Sequence, residues 1–299
     1  MDLGQDGSVK EIMPADEWNN ITVEDINKGI VIVDNAITYD GGQPSGTVPD
    51  FNEFVWVSIP DFANDFKMLA WNGPYWNGSN HIVGEHPIVT NPANDTEKQN
   101  KFWEDSTTSE YQDMLDSVEH YKGFYIGRYE ASQGTGDVVE SKRDVLPLTE
   151  ITQPMAIDAC TNSKIENMHL MYGIEWDSVL NWLIDKATIS TYVLGETKNM
   201  SIEDIQANSN SWGNYIESVG DAKKDSGSKQ ETGTSEYWKA NNIYDLAGNI
   251  WEWTQEKYST ETYRAFRGGT CSNKTDIYPV AYHAAYDENY TYSDVRISC

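Results

Sequence analysis

The sequence predicts an α+β fold made of short strands, two or three helices and much irregular loop, and three observations predict it. Helical periodicity is confined to the middle of the chain, at SEYQDMLDSVEHYKG, TQPMAIDACTN and EWDSVLNWLIDKA. Clusters of β-branched and aromatic residues bounded by Gly, Pro and Asn occur elsewhere, each the length of a strand. The stretches 72–108 and 188–240 are polar, rich in Gly, Ser, Asn and Thr, and without period.

Residues 1–28 are polar and acidic and read as a leader or attachment segment, with one domain over 29–299. GIVIVDNAITYDGG and FNEFVWVSIPDF read as two strands around a Gly/Pro-rich turn. Residues 72–108 are expected to form a long surface loop, with His81 and His86 in solvent. Ser109 and Gln112 make a capping box for a helix that presents Tyr111, Met114, Leu115, Val118 and Tyr121 on one face. GFYIGRYEA follows as a strand. Pro154 is tolerated in the first turn of a short second helix. Trp176, Val179, Leu180, Leu183, Ile184 and Ala187 fall on one stripe of a third.

NIYDLAGNIWEWTQEKY, residues 242–258, sets carboxylates among bulky rings. Strand alternation in IWEWT sends Trp251 and Trp253 to the inner face and Glu252 to the other. In the preceding DLAGN, Gly248 and Asn249 tolerate positive φ, so a tight turn brings main-chain carbonyls towards Glu252. An oxygen-rich turn of this kind suits Ca²⁺. Equally, its carboxylates satisfy backbone N–H groups with no ion present.

Charge excludes several function classes. The chain of 299 residues carries 48 acidic against 21 basic residues, a net charge of −27, and its pI is near 4.3. Such a balance repels phosphate backbones and anionic lipid, and no basic stripe offsets it; no nucleic-acid partner and no membrane insertion are expected. The apolar runs are too short to span a bilayer, and MDLGQDGSVKE lacks the features of an export signal. Three cysteines exclude a disulfide scaffold, and Cys160 reads as a small buried hydrophobe. Tyr (18) and Trp (11) far outnumber Phe (7), a balance suited to contact at surfaces.

FVWVSIP at 54–60, GFYIGRYEA at 123–131, HLMYGIEWDSVLNWL at 169–183, NNIYDLAGNIWEWTQE at 241–256, FRGGTCSN at 266–273 and the closing DVRIS occur in that order. Together they resemble the formylglycine-generating-enzyme type of C-type lectin fold, from about residue 50 onward. The flavour is similar to the variable proteins of phage and prophage diversity-generating retroelements, whose C-terminal stretch is remodelled by an error-prone reverse transcriptase. The resemblance implies a structural Ca²⁺ held by the side chains of Asp245 and Glu252 and the carbonyls of Gly248 and Ile250, with Asn249 supporting the turn, and no catalytic cofactor. It also implies that Arg267, Gly268, Gly269 and Arg296 are scaffold.

The variable ligand-binding region is expected at 262–299, where tyrosines alternate with small polar residues as in antibody binding loops. By resemblance its diversified positions are Ala265, Phe266, Thr270, Cys271, Asn273, His283, Ala284, Asp287, Tyr290, Tyr292 and Ser293. The spacing of four among Tyr278, Tyr282, Tyr286 and Tyr290 also permits a helix, against which Pro279 argues. Oxidases of the family hold copper on a cysteine pair five positions apart; here Cys271 is followed at that distance by Asp276. The scattered histidines do not match the sulfoxide synthases, and no sugar-binding EPN, QPD or WND triplet occurs. The expectation is a non-enzymatic binder on a phage tail or bacterial surface, with a protein ligand or cell-surface receptor preferred over a glycan.

Overall fold

The computed structural model describes residues 2–3, 9–11, 21–33, 38–40, 43–45, 52–134, 136, 138–163, 165, 167–184, 186–191, 195–223, 226–291 and 295–297. Two sheets and a buried helix position the site. The first sheet orders Gly123–Gly127, Glu53–Ser58 and Val31–Val33, all antiparallel. The second orders Ala284–Asp287, Thr260–Arg267, Trp251–Tyr258 and Val295–Ile297, with Phe102–Trp103 also pairing on Trp251–Tyr258. Only the pairing of Trp251–Tyr258 with Val295–Ile297 is parallel in it. The mixture of helices and short strands is the α+β architecture that the sequence predicts.

Helix Gly173–Leu183 packs against both Glu53–Ser58 and Trp251–Tyr258. Trp176, Val179, Leu180 and Leu183 are buried as expected, but so are Ile174, Glu175, Asp177 and Trp182. It is therefore enclosed on nearly every side, where periodicity alone suggests a stripe. Helix Gln153–Thr161 carries Pro154 in its first turn and is capped by Thr152. Helix Ser109–Tyr121 buries Tyr111, Met114 and Val118. Its cap is Thr108, whose hydroxyl accepts from Tyr111 N at 3.3 Å, one residue earlier than the Ser109–Gln112 box; Tyr121 lies outside the stripe and is exposed.

Several expectations need correction. Residues 72–108 contain the hairpin Asn72–Trp76 and His81–Glu85, a short helix Asp95–Lys98, and the buried strand Phe102–Trp103. His86 is 2 % exposed and bonds His283, so it is no solvent histidine. Within 188–240, Trp212, Tyr215 and Trp238 are fully buried among short turns and strands. Burial there comes from isolated large rings, which leave no periodic trace. Cys160 is buried as expected but is disulfide-bonded, so it is more than a small hydrophobe. The tyrosine run is not a helix; Ala284–Asp287 is a strand. Among the described residues no helix is long and apolar enough to cross a membrane.

Strand Trp251–Tyr258 organises the second sheet. Trp253 is fully buried, its indole Nε1 donating to the Ile151 carbonyl at 3.0 Å, while the ring meets Phe266 edge-on at 5.4 Å. Burying such a ring stabilises the fold by roughly 3 kcal/mol. Ahead of the strand the chain turns through Asp245, Gly248 and Asn249 at φ 59°, 77° and 56°. Gly248 is required twice over: a Cβ there would lie 2.1 Å from the Asn214 carbonyl oxygen, in a conformation L side chains avoid. Asn249 supports the turn, its Oδ1 accepting from Gln230 N and Asn214 Nδ2, both at 3.0 Å.

Candidate functional site

The pleat of the C-terminal strands decides what reaches the surface. Phe266 pairs with Ala284 and Ala265 with Ala285, so Phe266, Ala284 and Tyr286 share one face while Ala265, Arg267, His283 and Ala285 take the other. After Arg267 the chain bends through Gly268 and Gly269 at φ 91° and 79°. A Cβ on Gly269 would meet Tyr215 at 2.8 Å and the Tyr278 carbonyl at 2.9 Å, which fixes glycine there. This bend carries Thr270, Ser272 and Asn273 beside the face, where Asn273 Oδ1 accepts from Thr270 N at 3.1 Å.

The outward face forms one wall of a cavity of about 290 Å³. Trp76 and His81 from the hairpin, Trp251, Phe266, Thr270, Ser272, Asn273, and the run Tyr278, Tyr282, Ala284 and Tyr286 line it. His81 is the hinge point of two walls. Its Nδ1 bonds the Tyr282 hydroxyl and its Nε2 bonds the Tyr278 hydroxyl at 3.1 Å. Burial pushes the phenol pKa of Tyr278 and Tyr282 up, and neighbouring phenols add to it. The rings are therefore neutral at ordinary pH. Tyr286 and Tyr290 are exposed, with Tyr286 stacked on Phe266 at 5.3 Å and Tyr290 another 6.2 Å along.

Of the expected diversified positions, the cavity brings together Phe266, Thr270, Asn273 and Ala284. Cys271 is buried and sits between the lining residues Thr270 and Ser272. Asp287 is half-buried and Tyr290 exposed beyond the rim. Ala265 and His283 are fully buried on the opposite side of the strands, a correction that follows from the pleat. Tyr292 and Ser293 lie outside the described residues. Trp251 lines the cavity as well as packing inward, and His81, exposed as expected, lines it from the hairpin.

Under the face lies a buried ionic network. Arg267 donates to Asp177 Oδ1 at 2.6 Å and to Glu256 Oε2 at 3.1 Å, all three side chains fully buried. Asp177 also accepts from Trp71 Nε1 and Leu69 N, each at 2.8 Å. Glu256 Oε1 faces His283 Nε2 at 3.2 Å, and His283 Nδ1 faces His86 Nδ1 at 2.8 Å. Burial, reinforced by the Arg267 charge, holds both imidazoles well below the usual histidine range. With neutral rings, His283 donates from Nε2 to Glu256 and accepts at Nδ1 from His86. Burial raises the Glu256 pKa to about 7 against the pull of Arg267. Glu104, which accepts from Ile174 N at 3.1 Å, is pushed well up by burial and by Glu256.

The carboxylates of the DLAGN turn are placed differently. Asp245 is fully buried and its Oδ2 accepts from Gly233 N at 2.7 Å. Burial lifts its pKa to about 7. Glu252 lies with Glu130 on a separate small cavity of about 20 Å³, enough for one water or ion. Among the described residues no three His, Cys, Asp or Glu side chains cluster as a metal centre. Asp245, turned to Gly233, is not among the residues lining the Glu252–Glu130 cavity.

A family model described as "Sulfatase-modifying factor enzyme 1-like domain" matches residues 72–295. Two solved structures also match the chain in part. "Crystal Structure of CarF" is 14% identical, covers 59% of this chain and 85% of that one, and has a TM-score of 0.35. "Treponema denticola variable protein 1" is 13% identical, covers 90% of this chain and 99% of that one, and has a TM-score of 0.29. No curated protein matches the chain.

Proposed function

The chain belongs to the sulfatase-modifying factor enzyme 1-like domain family, with its C-type lectin-like α+β fold, and from that premise we propose that it is a non-enzymatic binding protein of the retroelement-diversified kind. The observation that carries this reading is the gathering of Phe266, Thr270, Asn273 and Ala284, all from the C-terminal stretch, on one aromatic cavity. Exposed Tyr286 and Tyr290 extend the wall outward. Tyrosines with small polar neighbours give large contact area at low conformational cost, and such surfaces recognise protein. The ligand is accordingly a protein or cell-surface receptor met at a phage tail or bacterial surface, in preference to a glycan. Nucleic acid is disfavoured by the net charge of −27.

Oxidase chemistry finds no support in the donor set. Asp276 stands five residues after Cys271, where the resemblance places the second copper-binding cysteine. By the resemblance a structural Ca²⁺ would be held by Asp245, Gly248, Ile250 and Glu252, whose oxygens are hard donors of the right kind, although Glu252 shares its small cavity with Glu130 and not with Asp245. Such an ion would neutralise buried negative charge and tie the start of strand Trp251–Tyr258.

The DNA downstream of the coding region tests the diversification. The expected finding is a near-copy of the codons for 262–299, differing at adenines and adjoining a reverse transcriptase gene. A locus with neither contradicts the reading.

A further inference from the structure

Resting on the binding reading above, the inference concerns which chemical group the cavity takes. Six rings wall it: Trp76, Trp251, Phe266, Tyr278, Tyr282 and Tyr286. The Trp251 centroid stands 5.1 Å from Phe266, 5.7 Å from Tyr278 and 5.8 Å from Tyr282. Tyr278 and Tyr282 are 5.0 Å apart, and Phe266 and Tyr286 stack at 5.3 Å. The rest of the lining is His81, Thr270, Ser272, Asn273 and Ala284. Among the described residues of the lining there is no Asp, Glu, Lys or Arg, and no aliphatic side chain larger than the Ala284 methyl. A cavity for a hydrocarbon guest is ordinarily walled by Leu, Ile, Val or Met, whereas ring faces with a few hydroxyl and amide oxygens offer negative potential and acceptors.

Charge supplies the second argument. The chain carries 48 acidic and 21 basic residues, so its field attracts cations and repels anions at any approach. Among the described lining residues no fixed carboxylate neutralises an incoming cation outright. Attraction there comes from the ring quadrupoles, strongest for Trp, which act within about 6 Å of a ring centroid. A guanidinium suits this lining better than an ammonium, because it is planar, stacks on rings, and has five N–H donors for Thr270, Ser272 and Asn273. From these observations we infer that the cavity is an aromatic cage for the arginine side chain of a basic protein partner.

The experiment uses the full chain and three short capped peptides, Gly-Arg-Gly, Gly-citrulline-Gly and Gly-norleucine-Gly. Citrulline keeps the shape of arginine and removes its charge. Binding is read from the indole N–H resonances of Trp76 and Trp251, assigned through Trp76→Phe and Trp251→Phe. The expected result is that the arginine peptide shifts both signals and binds about tenfold more tightly than the citrulline peptide. Tyr286→Ala, a change at an exposed ring, weakens the arginine peptide and leaves the citrulline peptide nearly unaffected. Equal affinity for arginine and citrulline, tighter binding of norleucine, or no shift with arginine would each overturn the inference. None of those results touches the binding reading itself, which falls on the locus and library experiments instead.

Discussion

Replacing Arg267 with Met tests how the scaffold under the face is held. Arg267, Asp177 and Glu256 are all fully buried, and the guanidinium bridges the two carboxylates at 2.6 and 3.1 Å. Met fills much of the volume but leaves the carboxylates facing each other, and breaking a buried ion pair from one side costs about 3 to 5 kcal/mol. The cost depends on pH. Glu256 sits at about 7 even with Arg267 beside it, so without that charge its folded pKa climbs further above the unfolded value. A raised carboxyl pKa means that the folded state holds a proton that the unfolded state has released. Stability of the variant therefore falls as pH rises from the unfolded pKa to the folded one, by about 1.4 kcal/mol per pH unit for one proton. Urea unfolding of Arg267→Met and wild type at pH 5.5 and pH 8 measures this. Wild type itself loses this stability up to a pH of about 7, so we expect the variant's deficit to be larger at pH 8 by up to about 1.4 kcal/mol, the one further pH unit, and Glu256→Gln on the variant to remove most of that difference. A deficit below about 1 kcal/mol, or one equal at both pH values, refutes the argument.

Other outcomes follow from the same geometry. Gly248→Ala places a Cβ 2.1 Å from the Asn214 carbonyl oxygen at φ 77°, and its unfolding free energy, measured by urea denaturation, should drop by about 2 kcal/mol or more; a neutral change contradicts the turn. At His169, burial alone lowers the pKa, but the Glu175 carboxylate at 3.0 Å overrides it and raises the ring to about 9. Its contribution is complete below the usual histidine value of 6.5 and disappears as pH rises through 9. With solvent screening of the half-buried ring it amounts to about 1 kcal/mol. Melting curves from pH 6 to pH 10 should show this loss in wild type and not in His169→Gln. Excess Ca²⁺ at about a hundred times its dissociation constant should stabilise the chain by roughly 3 kcal/mol relative to EDTA, and Glu252→Gln should abolish the difference; identical melts with and without Ca²⁺ remove the ion from the account.

The scaffold was legible where local chemistry and tertiary packing agree. Pro154 in a first turn and positive φ at Gly248 and Asn249 follow from the residues themselves, whereas IWEWT is buried on both faces, Glu252 included, and Trp251 also lines the cavity. What escaped depends on register and on distant partners. A shift of one residue exchanges the faces of a strand, so nothing local distinguishes His283, which is buried, from Ala284, which lines the cavity. His81 stands 197 residues from Tyr278, whose hydroxyl it meets. The hairpin that delivers it does leave a trace: YWNGSNHI sets an Asn-Gly pair between two short apolar runs. Asp177, Glu256 and Arg267 are ordinary charges in sequence, and only the packing of helix Gly173–Leu183 against strand Trp251–Tyr258 joins them.

A displayed library randomised together at Phe266, Thr270, Asn273, Ala284, Tyr286 and Tyr290 puts the separation of face and scaffold to its most direct trial. Protease resistance reads folding, and panning against unrelated proteins reads binding. The account predicts that most members stay folded and that selected binders to different targets carry different residues at these six positions. Widespread unfolding, or binders whose affinity is indifferent to those residues, contradicts it.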